Sequence, residues 1–199
     1  MKISIEFLKT LIAKKKYIWF EDKPNIIAIR TALQVPDVFN DVFCIVYKEN
    51  GIEKLYTATI TTEPGVFYQK NLLNKKGCWV MMPAQMIDAF SLGFHQGKAD
   101  HECLRSTGMI YGLREDDKDG IILNDKDAVA TWVDGTTVGA NVHGANKKTD
   151  LTTIVGQNSA GCQVHNRWSK KTEMVSICKA YKVYCKNKFT YTLIEEKDL

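Results

Sequence analysis

The sequence predicts a mainly β domain of α+β character, a sandwich or barrel with one helix near each end. Three observations predict it. Short apolar runs of strand length recur along the chain, separated by breaks that contain Gly, Pro or Asn. Only two segments space their apolar residues at helical intervals, one near each terminus. With 199 residues, the chain suits one domain with at most a small appendage. We expect an N-terminal helical appendage over residues 1–35 and the main domain over 36–199.

In chain order, Ile5, Leu8, Leu11 and Ile12 fall on one helical face between Ser4, a candidate N-cap, and the basic run Lys14–Lys16. Lys23-Pro24-Asn25 breaks the chain. Ile26 to Arg30 then reads as a strand, and Asp41 to Tyr47 as a buried one. Glu49-Asn50-Gly51 is a tight-turn sequence, so Leu55 to Ile60 should pair back as a hairpin. Strands are expected at Cys78–Met82, Met109–Leu113 and Thr137–His143, with a loop-rich stretch from Thr62 to Gly77. Near the C-terminus, Lys171 to Tyr184 has helical spacing, and Phe189 to Ile194 alternates like an edge strand. Neither repeats nor low-complexity segments occur.

The composition is that of a globular protein, 45% hydrophobic and 25% charged, which excludes disordered and fibrous classes. A net charge of +4 reads as a solvated surface, and no nucleic-acid partner is expected. No run approaches the roughly 18 apolar residues that a membrane span requires. The N-terminus carries Glu6 where a signal peptide would be apolar, with its lysines on the wrong side, so synthesis in the cytoplasm without a signal peptide is expected. Six cysteines lie in apolar runs without regular spacing, which points to buried thiols rather than disulfides. No CxxC pair suggests a zinc site, and neither metal nor cofactor is expected. Asp116 to Gly120 resembles a calcium loop but has Lys126 where the bidentate glutamate belongs.

The most informative residues are His143 and Cys162. His143-Gly144 ends one apolar run, and Ser159-Ala160-Gly161-Cys162 follows a polar loop from Ala145 to Asn158 that is long enough to return the chain beside it. Cysteine is already partly thiolate near pH 7, and a neighbouring histidine would raise that fraction. The small residues leave room for a substrate carbonyl, and backbone N–H groups near Gly161 and Cys162 are candidates for an oxyanion hole. Gly161 also admits backbone angles closed to other residues. A base needs a group to orient its ring; no acid is placed for this, and the Gly144 carbonyl is the candidate.

His143-Gly144 followed by Ser159-x-Gly161-Cys162 resembles the signature of the L,D-transpeptidase (YkuD-type) catalytic domain. Within that family the chain is most similar to uncharacterised phage- and Bacteroidetes-encoded proteins. Thr61–Gly65, Gly93–Lys98, Gly139–His143 and Asn158–Val164 carry this resemblance, which extends from about Ile26 to Cys185. The chain departs from the pattern at Ala160, where the family has a second histidine, and at Gln163-Val164, where it has an arginine.

The resemblance implies a YkuD-like fold and a cysteine acyl-transferase acting on peptidoglycan stem peptides. Cys162 would be the nucleophile and His143 the base, with Gly161 and Ser159 completing the catalytic loop. Asn141, Gly144, His95 and Arg167 are the candidate substrate-binding residues. Either hydrolysis, as an L,D-carboxypeptidase or endopeptidase, or transpeptidation would follow, at the cell wall, in the periplasm or from a virion. A non-catalytic wall-binding module on the same fold is the alternative from another class, and a cysteine peptidase acting on ordinary L-peptides is a third. The oligomeric state is left open.

Overall fold

The computed structural model describes residues 2–32, 35, 37–124 and 126–199. With 38% strand and 22% helix it is mainly β, as expected. A helix α1 (Ile5–Lys14) precedes strands β1 (Asn25–Arg30), β2 (Asp41–Glu49) and β3 (Ile52–Thr61). After a short helix α2 (Val66–Lys70) come β4 (Cys78–Met81), β5 (Ala84–Phe94), β6 (Glu102–Ser106), β7 (Met109–Glu115) and β8 (Thr131–Asp134). A second short helix, α3 (Gly135–Val138), leads to β9 (Val142–Gly144) and β10 (Gln163–His165); α4 (Trp168–Tyr181) and β11 (Phe189–Glu195) follow.

Eight strands close a barrel in the order β1-β11-β5-β6-β9-β10-β3-β2, and β4-β7-β8 form a separate three-stranded sheet beside it. The pairs β1–β11 and β9–β10 are parallel. Ile26, Phe43, Ile45, Phe90, Val142 and Tyr191 pack within one core. The other face of β1 and β2, through Ile27, Ile29, Cys44 and Val46, is covered by Leu8, Leu11 and Ile12 of α1. Burial on both faces explains why β1 reads as an unbroken apolar run rather than an alternating one. Ser4 does cap α1, its hydroxyl accepting the Phe7 N–H at 3.1 Å.

Three expectations are corrected, and one strand is added. Residue 36, the expected boundary, lies outside the described residues. Within 1–35, however, β1 is a barrel strand paired on both sides, so only α1 stands outside the barrel. β11 is not an edge strand but lies between β1 and β5; its outward Thr190 and Thr192 are covered and hydrogen-bonded to β5. Residues 137–143 are not one strand, because Asp134 caps α3 through the Thr136 N–H and only Val142–Gly144 is extended. β5, the longest strand, escapes the sequence reading. Asp88 adopts a positive φ of 49° and the β11 register shifts there, so the apolar residues lose their period of two.

A buried polar network ties the barrel to the 61–65 segment. Asp41 accepts both the amide and the hydroxyl of Thr62, and Arg30 donates to the Thr62 hydroxyl and to the carbonyls of Thr62 and Met81. No helix among the described residues is long and apolar enough to cross a membrane.

Candidate active site

The parallel pairing of β9 with β10 sets Val164 opposite His143. Side chains alternate along a strand, so Cys162, two residues before Val164, shares the face that carries His143. The Gln163 N–H donates to the Asn141 carbonyl at 2.8 Å and holds this register where the two strands begin. Gln163 and His165 point the other way. Gln163 accepts from the Tyr191 hydroxyl, and His165 packs edge-on against Phe43 inside the barrel. His165 therefore faces the barrel interior rather than the site.

His143 is 4% exposed, and its Nδ1 lies 2.9 Å from the Gly144 carbonyl. A carbonyl only accepts, so Nδ1 carries the proton and Nε2 keeps its lone pair. Nε2 is buried and has no hydrogen-bond partner among the described residues. Burial first, then the neighbouring His95, holds His143 well below the usual histidine range. The orienting carbonyl is the one the sequence suggested.

Cys162 is 9% exposed and lines a cleft of about 450 Å³; of the six cysteines, all free, it is the least enclosed. Its S–H donates to the Gly139 carbonyl at 3.5 Å. Burial pushes the thiol up to about 11, so the resting group is a neutral thiol, not the activated thiolate the sequence suggests.

Ser159 builds the turn that presents Cys162. It is fully buried; its hydroxyl donates to the Cys162 carbonyl at 2.8 Å and accepts the Gly161 N–H at 3.2 Å. Its carbonyl accepts the Gly65 N–H, which links the turn to the Arg30–Asp41–Thr62 network. Gly161 has φ +117°, and a Cβ there would lie 2.6 Å from the Trp79 carbonyl. Both the angle and the close approach demand glycine. The Gly161 N–H is spent on Ser159, which removes it from the expected oxyanion hole.

Three of the four histidines gather here. His95 stacks on His143 with centroids 4.0 Å apart, and His101 lies edge-on at 5.3 Å from His143 and 4.7 Å from Trp168. Asn141 accepts the Ser106 N–H through Oδ1, so its Nδ2 donates to His95 Nδ1 at 3.2 Å. Asn141 and His95 both line the cleft. Gly144 does not; it sits under Trp168 and Lys171 of α4. Arg167 is a correction: it pairs with Asp150 at 3.2 Å and borders a different groove with Thr57 and Lys170. Sequence reasoning missed Trp79, Arg105 and Arg114, which line the Cys162 cleft from β4, β6 and β7. No signal in the sequence marks the two arginines, because Glu102–Ser106 and Met109–Glu115 are mixed strands in which an arginine reads as an ordinary solvated residue.

Among the described residues, no three His, Cys, Asp or Glu side chains are grouped to hold a metal ion. The stacked rings meet face to face rather than aiming nitrogens at a common point. Chemically, the arrangement offers a neutral imidazole with a buried, unpartnered nitrogen, on the same face as a thiol that lines an open cleft. Comparison with known protein families, curated sequences and solved structures finds no match to this chain.

Proposed function

We propose that the chain is a cysteine acyl-transfer enzyme of the L,D-transpeptidase (YkuD) type that processes peptidoglycan stem peptides. The observation that carries the reading is the shared face of His143 and Cys162, with the Gly144 carbonyl leaving Nε2 as the basic nitrogen. In the proposed reaction, substrate displaces the Cys162 S–H from the Gly139 carbonyl. His143 Nε2 takes the proton while sulfur bonds to the carbonyl carbon of the third stem residue. The C–N bond to the terminal D-alanine then breaks, its nitrogen leaves with the proton from His143, and a thioester remains. Water gives up a proton to Nε2 and adds to the thioester carbon, and the thiol departs reprotonated. An amine in place of water gives a cross-link. With the Gly161 amide spent, the Cys162 N–H is the donor left on the nucleophile's own turn for the oxyanion. The site of action implied is the cell wall, the periplasm or a virion.

The alternative, a non-catalytic wall-binding module, is favoured by one observation: the resting thiol is neutral and bonded to Gly139 rather than to His143. A carbapenem decides between them. On the catalytic reading it acylates the native protein, spares Cys162→Ala and reacts at least ~10²-fold more slowly with His143→Ala. Absence of labelling together with intact wall binding favours the module. Mass spectrometry of muropeptides after incubation then separates hydrolysis from exchange.

A further inference from the structure

We propose that Arg105 and Arg114 form an anion-binding end of the Cys162 cleft and hold the free carboxylate of the peptide whose carbonyl the sulfur attacks. This rests on the acyl-transfer reading above. The two arginines come from different sheets, Arg105 from β6 of the barrel and Arg114 from β7 of the flanking sheet, and they meet on one cleft. Among the described residues, no aspartate or glutamate lines that cleft.

Arg105 is exposed, and its guanidinium takes part in no hydrogen bond or ion pair among the described residues. Arg114 is half-buried and held in place. One arm donates to the Gly77 carbonyl at 2.8 Å, and the guanidinium lies 5.8 Å from the Trp79 ring centroid, leaving further N–H groups uncommitted. Both guanidinium groups line the one cleft without an acidic partner among the described residues, and a carboxylate there accepts paired N–H bonds from a planar fork. His95 on the same cleft stays neutral, held low by burial and by Lys98 and Arg105, so it does not compete as a third cation. The cleft is within the size range of small-ligand sites, room for a short peptide terminus rather than a long strand. The chemistry therefore selects peptides ending in a free carboxylate beside the scissile bond, the carboxypeptidase branch of the proposed reaction.

The test uses Cys162→Ala protein, which cannot form the thioester, and Nα-acetyl-L-lysyl-D-alanine as free acid and as C-terminal carboxamide. Titration calorimetry is expected to show the acid binding at least ~10-fold more tightly than the amide, with the preference shrinking as salt rises. Adding Arg105→Gln and Arg114→Gln is expected to abolish the preference. Equal binding of acid and amide, binding of neither, or a preference that survives both substitutions would overturn the proposal. The acid–amide comparison needs no arginine variant, so a folding defect in those variants does not cloud it. Carbapenem labelling reports separately on the reaction: an acid preference in a protein that is never acylated keeps the anion site and discards the acyl transfer.

Discussion

The imidazole of His95 lies stacked on that of His143, with ring centroids 4.0 Å apart and planes 29° apart. The stack covers the candidate base, and Asn141 pins the outer ring by donating to its Nδ1. Burial and the neighbouring ring both hold His143 in its neutral form, the form able to accept a proton. His95→Ala should therefore let His143 titrate nearer its ordinary 6.5, whereas His95→Phe, which keeps the stack and burial, should do so less. Proton NMR titration of the His143 ring checks this. An unmoved titration in His95→Ala would remove His95 from the account.

Alkylation of Cys162 by iodoacetamide should follow the thiolate, whose formation burial opposes. With the thiol pushed up to about 11, its rate is expected to keep climbing through pH 9 and beyond, with a thiolate fraction on the order of 10⁻⁴ at pH 7. Mass spectrometry across pH measures it. A plateau near pH 8 would show instead a thiolate stabilised at rest.

Ser159→Ala strips a partner from the Gly161 N–H and from the Cys162 carbonyl within a buried turn. A loss of about 1–3 kcal/mol is expected, because the remaining groups stay desolvated. Urea unfolding gives the stability, and carbapenem acylation should slow as the turn loosens. Unchanged values for both would make Ser159 a passive filler.

Gly161→Ala meets two obstacles at once, a φ of +117° and the Trp79 carbonyl 2.6 Å from the new methyl. The expected cost is about 2–4 kcal/mol, the sum of backbone strain and overpacking. A melting temperature equal to the parent's would contradict the close approach of this turn to β4.

Glu63 is pushed up to about 7, chiefly by burial, against the pull of Arg30. A carboxyl raised in the folded state contributes stability that is full below about 4.5 and fades as pH rises through about 7. Glu63→Gln is expected to flatten this slope and raise stability at pH 8 by about 1–3 kcal/mol, with little change at pH 4.5. Urea midpoints at the two pH values check the sign. A Glu63→Gln protein weaker at pH 8 would mean that the Arg30 pairing outweighs burial.

Much of the local structure was legible before folding. Ser4 and the Leu8–Ile12 stripe mark α1, and Glu49-Asn50-Gly51 marks the β2–β3 hairpin because Asn50 and Gly51 accept positive φ. The Cys162 turn was legible too, since small residues around a cysteine are visible in one short window. Arg105 and Arg114 were not: each is an ordinary strand arginine until β6 of the barrel and β7 of the flanking sheet face the same cleft.

What the residue order determined by itself is short-range: strand and helix periodicity, caps, tight turns, and the two residue types, imidazole and thiol, able to share a proton. What tertiary structure alone decided is long-range. Closure of the barrel made β11 an interior strand, parallel pairing put His143 and Cys162 on one face, and burial moved both groups away from their charged forms. The physical reason is that periodicity reports each residue's phase within its own element. Desolvation and strand register depend on which distant elements cover it, and no single window of sequence contains that information.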